Sequence, residues 1–371
     1  MASGDGMLVR VRPPAGRLTQ AQAAGVARLA GRYGNGLIDL STRANIQLRG
    51  VQDHTYEPLM AELSELGLID PTPEAEAKRN IVTTPYWLEG DGTLELAHNL
   101  ARALQCWEGT MPSKFGFAID TGPAPVLRSI SADIRIERTS NGQLLCRADG
   151  ASHGALVTPE TMASTALDLA RWFLAGGRQG RMAARLSEGA VPPSVFSMQS
   201  AVAADALPPP RPGRTVASMM VGFAFGQMQA HTLAVLAGIG PLRVTPWRML
   251  LVEGLADIPA IEHVLTQPED PLLRVVACPG APACVQGLQP TRALARHLAP
   301  QVPVNAVLHV SGCAKSCAHP GATPLTLVAQ ASGFDLIHNG PATAANNRHV
   351  TAEHLMATPE ILLEGLDASL L

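Results

Sequence analysis

Cys278-Pro279-Gly280-Ala281-Pro282-Ala283-Cys284 and, further on, Ser311-Gly312-Cys313-Ala314-Lys315-Ser316-Cys317 decide how this chain is read. They hold four of its six cysteines, spaced C-x5-C and C-x3-C. Two thiol pairs of this kind can converge on one soft metal centre, and four thiolates suit zinc or an iron–sulfur cluster. Zinc ribbons use shorter C-x2-C knuckles, whereas a longer gap wraps a loop round a bulkier object such as a cubane. Pro279, Gly280 and Pro282 keep the first loop out of a helix, and Gly312 lets backbone come close just before Cys313. Free cysteines are often plain buried hydrophobes. That reading is given to Cys106 and Cys146, which show no ligand spacing. Nothing marks the chain as secreted, so a disulfide framework is not expected and a cytoplasmic setting is.

The 371 residues are enough for two or three domains with real cores. With 46% hydrophobic residues, 16% charged residues and a net charge of -3, the composition is that of a globular protein, not a disordered one. The near-neutral balance gives no reason to expect nucleic acid, and 4% aromatics leave few stacking platforms. Between Arg214 and Arg243 no formally charged residue occurs, a length that could span a bilayer. Gln227, Gln229, His231 and Thr232 in its middle argue for a buried strand and core helix instead, so no membrane partner is expected.

Working outward, the chain repeats one order of elements. Leu8 to Arg12 alternates as a strand, and Thr19-Gln20-Ala21-Gln22 reads as a capping box opening a helix to about Tyr33. Strands follow at Leu37 to Leu40 and Ile46 to Arg49, then a helix at Glu57 to Leu66. The second copy places strands at Met219 to Phe225, Leu242 to Val244 and Arg248 to Val252, with helices at Ala230 to Ala237 and Pro259 to Leu265. Pro208-Pro209-Pro210-Arg211-Pro212-Gly213 joins the copies. Two related halves about a pseudo-twofold axis are implied. Each short unit precedes a longer α+β segment. In the first segment a helix is expected to start at Thr158-Pro159-Glu160, and in the second one at Val285 to Leu298. The first Met lies close to the first strand, so any preceding segment is expected to be short or missing.

Ser41-Thr42-Arg43-Ala44-Asn45-Ile46-Gln47-Leu48-Arg49-Gly50 is the second informative stretch. Read as a strand, it points Arg43, Asn45, Gln47 and Arg49 to one side. Two guanidiniums and two amides suit a ligand with several carboxylates, though a solvated strand face would look the same. Lys78-Arg79-Asn80, Pro112-Ser113-Lys114-Phe115-Gly116 and Thr245-Pro246-Trp247-Arg248 add basic groups. Lysine occurs only at 78, 114 and 315 among the 28 basic residues, and a buried lysine can lose its proton where arginine cannot. Lys114 is therefore a candidate proton donor or anchor for a reaction intermediate, and Lys315, between two cysteines, a candidate tuner of local charge, though chance in a lysine-poor chain would look the same. His309 and His319 flank the second cysteine pair, and imidazole suits iron; each taken alone is as readily a structural histidine.

The C-x5-C…C-x3-C pattern resembles the cluster motif of the sulfite and nitrite reductase superfamily. Thr42-Arg43 with Gln47, the Arg79-Asn80 pair and the stretch 112–116 are similar to that family's sirohaem- and anion-contacting stretches. Within it, Cys313-Ala314-Lys315-Ser316-Cys317-Ala318-His319-Pro320 is closest to the precorrin-3B synthases of aerobic cobalamin synthesis. The resemblance covers nearly the whole chain. It implies an α+β fold with two ferredoxin-like half-domains (1–66 and, with the linker, 208–268) and two reductase-type α+β domains (67–207, without a cluster, and 269–371). It implies a 4Fe–4S cluster on Cys278, Cys284, Cys313 and Cys317. It places Arg43, Asn45, Gln47, Arg49, Arg79, Asn80 and Arg248 on a tetrapyrrole, with Lys114 and Arg79 catalytic. The implied reaction is an oxygen-dependent hydroxylation of precorrin-3A with lactone formation. Its partners would be O2 and a reductant, NADH or a redox protein, and the family is associated with an additional mononuclear non-haem iron. Sirohaem would be bound if the chain were instead a sulfite or nitrite reductase, and a non-catalytic cluster or tetrapyrrole carrier is a third possibility. One departure bears on this choice. Gly116 stands where the reductases keep a second cation, which weakens oxyanion reduction and is expected to open space above the macrocycle.

Overall fold

The computed structural model describes residues 2–122, 124–176, 180–197, 204–215, 217–254, 259–345 and 347–366. The first unit runs β1 (Ala2–Ser3), β2 (Gly6–Val11), β3 (Arg17–Leu18), α1 (Gln20–Tyr33), β4 (Leu37–Leu40), β5 (Ile46–Val51) and α2 (Asp53–Glu65). Then come α3 (Pro73–Lys78), β6 (Ile81–Thr83), α4 (Thr93–Gln105), β7 (Phe117–Asp120), β8 (Ile134–Arg138), β9 (Leu144–Ala148), β10 (Ala155–Val157), α5 (Met162–Ala175), α6 (Met182–Ser187) and α7 (Ser194–Ser197). The second copy is β11 (Gly213–Arg214), β12 (Ser218–Phe223), β13 (Gln227–Gln229), α8 (Ala230–Ile239), β14 (Leu242–Val244), β15 (Met249–Glu253) and β16 (Val264–Leu265). The last unit is β17 (Val275–Ala277), α9 (Arg292–Leu298), β18 (Leu308–Ser311), β19 (Thr323–Gln330), β20 (Gly333–Gly340), β21 (Arg348–Val350) and α10 (Ala352–Ala357).

The fold is α+β and internally repeated. The two reductase-type sheets have the same order, β10-β9-β8-β7-β6 and, in the other half, β17-β18-β19-β20-β21, each with two parallel pairings followed by antiparallel ones. The half-domain sheets are exchanged at their edges. β13 pairs with β4, Met228 opposite Ile38, and β3 pairs with β14, Leu18 opposite Leu242. Each copy thus lends the strand before its helix to the other copy's sheet. The apolar sides of both sheets, with α1 and α8, close over one shared core that includes Leu18, Leu29, Ile38, Leu48, Leu233 and Leu242, all 0% exposed. Burying one such side chain contributes roughly 1.5–3 kcal/mol, so neither copy is built to stand without the other.

The capping box forms as read: Gln22 N–H donates to Thr19 Oγ1 at 3.2 Å and the Gln22 side chain accepts from Thr19 N–H at 3.0 Å. Several expectations do not hold. Residues 259–265 are not helical; they end in β16, which pairs along Gly222 and Phe223 of β12. The helix expected from Val285 begins only at Arg292. Gly287 N–H, Leu288 N–H and the Gln289 carbonyl are used to bind the cysteine loops, and Pro290 bars an earlier start. The helix cap near 158 falls at Thr161. Arg43 lies in a turn, not on the strand: Ser41 Oγ accepts from Arg43 and Asn45 N–H, and Ala44 takes φ 53°. No helix of the described residues is long and apolar enough to cross a membrane. The uncharged stretch after Arg214 becomes β12, β13 and α8.

Candidate functional site

The polar side of the first sheet follows from register. Arg10 lies opposite Gln47, Gln47 opposite Asp39 and Asp39 opposite Gln227, one residue from each of four adjacent strands. Alternation sends Val9, Val11, Ile38, Ile46 and Leu48 to the core and leaves these polar groups on the other side. Arg12, Asn45 and Arg49 share that side. Arg12 was read only as part of a strand, yet it is 6% exposed and donates to Asn45 Oδ1 at 3.3 Å and to the Glu76 carbonyl at 2.6 Å. Burial, chiefly, lowers its pKa to about 10. A cavity of 510 Å³ opens at this edge, lined in part by Arg10, Arg12, Gln47 and Glu76.

Most of the guanidiniums on this side already hold carboxylates. Arg79 grips Asp70 in a fork, 2.8 Å on each arm, and donates to the Arg12 carbonyl. Arg10 grips Glu76 in the same way. Arg49 engages all three of its nitrogens with Asp5, Asp39, Ser3 and Ala283. Arg43 and Arg248 differ. Among the described residues neither has a carboxylate within ion-pair reach; Arg43 donates to the Ser113 carbonyl at 3.4 Å and Arg248 to the Ala318 carbonyl at 3.2 Å. Burial and the charges of Arg181 and Arg10 lower the pKa of Arg43. Lys114, next to Ser113, is exposed, and its carbonyl accepts from Arg181. Arg181 carried no signal in the sequence. Lys78 turns aside to the Trp107 carbonyl. Asn80 is buried, its amide on the Phe115 carbonyl at 2.8 Å. Gly116 does not open space: a Cβ there would lie 2.6 Å from Asn80 Nδ2. The glycine makes room for Asn80.

The cysteine loops meet the same sheet from the opposite half. β17 leads into Cys278 and β18 into Ser311-Gly312-Cys313, and parallel pairing of these strands sets the two loops side by side. Gly312 N–H donates to Cys278 Sγ at 3.0 Å. The Cys317 thiol hydrogen-bonds Cys278, and that bond first, then the Gly312 and Gly280 N–H groups and Arg292, hold Cys278 down at about 6 against burial. Cys317 is pushed up by the same bond, by burial and by the charges of Cys278, Cys313 and Cys284. All four thiols therefore share one neighbourhood. Arg248 also feels Cys317, and Arg292 from α9 reaches Asp39 at 3.5 Å. His309 is fully buried beside His319, ring centroids 5.7 Å apart, and among the described residues neither His309 ring nitrogen finds a partner. Burial first, then His319 and Arg248, push His309 down to about 4. Trp247 packs into the half-domain core and, with Arg248, edges a cavity of 740 Å³ walled mostly by apolar residues. Lys315 is exposed.

These residues fit an iron–sulfur cubane. Four soft sulfur donors stand together, and one of them, Cys278, already accepts a backbone N–H. The cradle is tight, since a Cβ on Gly312 would lie 3.2 Å from Cys278 Sγ. Among the described residues no three His, Cys, Asp or Glu close on a point as ligands of one ion do. A cubane spreads its thiolates over separate irons and does not require that convergence.

Residues 1–66 match the model of the nitrite/sulfite reductase ferredoxin-like half domain. A protein from Sinorhizobium sp named precorrin-3B synthase is 27% identical over 387 aligned residues, covering 92% of this chain and 81% of the relative. The solved structure of the Mycobacterium tuberculosis NirA protein superposes with a TM-score of 0.61 at 15% identity, over 95% of this chain and 79% of that one. The last likeness concerns the fold alone. The resemblance read from the cysteine motif is borne out by these matches, and the name of the Sinorhizobium relative is that of an enzyme, as that reading expected.

Proposed function

We propose that this chain is an oxygen-dependent oxidoreductase of cobalamin biosynthesis that hydroxylates precorrin-3A and closes a lactone, giving precorrin-3B. The observation that carries this is the meeting of the four-thiol loops with the polar side of the first sheet, directly where Arg49 donates to the Ala283 carbonyl and through α9 where Arg292 reaches Asp39. The Sinorhizobium relative supports the assignment by its name. Cys278, Cys284, Cys313 and Cys317 would hold a 4Fe–4S cluster, which supplies single electrons when bound.

The chain's own residues bind and orient a polycarboxylated macrocycle. On this side of the sheet Arg43 and Arg248 are the arginines that, among the described residues, have no carboxylate within ion-pair reach, so each can take a substrate carboxylate in a fork. Asn45 and Gln47 lie on the same side and supply amides, and Arg12 extends the cationic edge. Arg79 and Asn80 frame the site, Arg79 through Asp70 and Asn80 through Phe115. Lys114, next to the Ser113 carbonyl that orients Arg43, would supply a proton for the oxygen step from an exposed position. The electron donor would be NADH or a redox protein, and a non-haem iron, if present, would need ligands beyond the cysteines.

The test is turnover of precorrin-3A by anaerobically purified protein given a reductant and then isotopically labelled O2. The product should be one labelled oxygen atom heavier and should not form without O2. Intense macrocycle bands in the protein as isolated, with sulfite or nitrite reduction, would assign it to the reductases instead.

A further inference from the structure

We propose that Arg49 is a positioning residue that holds the Cys278–Cys284 loop from the other half of the molecule. The inference rests on the reading of that loop as a carrier of cluster ligands. Three donors converge on the carbonyl of Ala283, the residue before Cys284: Ser3 Oγ at 2.8 Å, Gly4 N–H at 3.1 Å and Arg49 Nη2 at 3.3 Å. The approach is close enough to need glycine, since a Cβ on Gly4 would lie 2.1 Å from the Pro282 oxygen. Arg49 is itself fixed, by Asp5 in a fork at 2.9 Å on each arm and by Asp39 at 2.9 Å. Asp39 passes the hold on. Its second oxygen accepts from Gln227 at 2.8 Å and reaches Arg292 at 3.5 Å. Arg292 follows Thr291, whose hydroxyl donates to the Cys278 carbonyl. Both ends of the loop are thus tied to neighbouring strands of the first sheet. Arg49 is 3% exposed with every nitrogen engaged, which leaves it no room for a substrate carboxylate.

The other half repeats the device with the charges exchanged. Arg243 faces Leu251 as Asp39 faces Gln47, and Glu253 stands two residues beyond Leu251 as Arg49 stands beyond Gln47. Glu253 binds Arg17 and Arg243, and Arg243 donates to the Pro85 and Trp87 carbonyls at 2.7 and 2.6 Å. Those carbonyls follow β6, the counterpart of the strand leading to Cys278. One fold element therefore grips one loop in each half, and the loop after β6 has no cysteine. Arg243 is a built-in control: the same kind of hold, remote from the thiols.

The experiment compares Arg49→Lys with Arg243→Lys in anaerobically purified holoprotein. Lysine keeps the charge but cannot reach Asp5, Asp39 and Ala283 together. The readouts are the rate at which an iron chelator bleaches the cluster absorbance, the cluster's reduction potential and the thermal midpoint. Loss of one charge-assisted bond at the loop should speed bleaching about tenfold in Arg49→Lys, with Arg243→Lys close to wild type even where both melt earlier. Equal rates in Arg49→Lys and wild type, or equal acceleration in both variants, would overturn the proposal. Should Arg49→Lys fail to fold, Ser3→Ala removes one donor to Ala283 at an edge strand; it should bleach a few-fold faster, and an unchanged rate refutes the clamp. A wild-type protein without iron and sulfide would sink the cluster reading. The clamp would then be judged by Cys284 alkylation, faster in Arg49→Lys than in Arg243→Lys if it holds and equal if it does not.

Discussion

Replacing Gly312 by alanine tests the cradle most sharply. The new Cβ would stand 2.9 Å from Gly280 Cα and 3.2 Å from Cys278 Sγ. Neither neighbour can swing aside, because one is backbone and the other a ligand sulfur, so the two cysteine loops must part. Overpacking of this kind costs about 1–3 kcal/mol. Parting also lengthens the 3.0 Å bond from Gly312 N–H to Cys278 Sγ, and a hydrogen bond to a charged group contributes about 1.5–3 kcal/mol. The residue lies on the loop and outside the apolar cluster of the last unit, so the cost falls on cluster binding more than on folding. Cluster affinity should drop about 10- to 100-fold or more, at 1.4 kcal/mol per tenfold. The assay is iron and sulfide per chain, the bleaching rate under chelator, and the melting of the apo form. Gly31→Ala in α1 is the matched control; a Cβ there meets nothing within 4 Å, and it should stabilise by roughly 0.5–1 kcal/mol with cluster content unchanged. A Gly312→Ala protein with full cluster and wild-type bleaching would refute the reasoning.

Further expectations follow from the same geometry. Arg43→Gln should raise the dissociation constant for precorrin-3A about tenfold or more with little change in melting, since among the described residues its side chain makes one 3.4 Å bond to a carbonyl; titration calorimetry reads the first and thermal denaturation the second. Lys114→Arg keeps the charge but cannot give up a proton, so turnover should collapse while substrate binding survives; intact turnover would remove Lys114 from proton transfer. Asp120 is buried, and burial raises its pKa from 3.8 to about 6 against the Val126 and Leu127 N–H groups. A carboxyl raised on folding favours the folded state most below about pH 4, and that contribution is lost as pH rises through about 6. The loss is at most about 3 kcal/mol. Asp120→Asn should flatten that part of the stability–pH curve, as denaturant titrations at several pH values would show.

Much of this was legible before any coordinates. The Thr19–Gln22 box, the helix it opens and the doubled order of elements depend on local pattern, and local pattern survives folding. The pairing of the cysteine loops was legible because four thiols in two tight pairs have few other uses. The exchange of β3 and β13 was hidden, because strands of two and three residues carry no readable period. So was the state of the arginines. Arg49 and Asp5, or Arg10 and Glu76, are far apart in sequence, and only the sheet register reveals that their charges are met. Arg12 and Arg181 were overlooked for the same reason. The space inferred at Gly116 was misread because a missing side chain can serve a neighbour, here Asn80, as readily as a ligand.

The central claim is that the two cysteine loops carry a cubane against the polar side of the first sheet. Iron, acid-labile sulfide and zinc analysis of anaerobically purified protein, with its visible spectrum, tests it directly. The account predicts about four iron and four sulfide per chain, a broad absorption that bleaches on reduction, and loss of both when Cys278 or Cys317 is replaced by serine. Stoichiometric zinc without sulfide, or iron retained after those replacements, would contradict it.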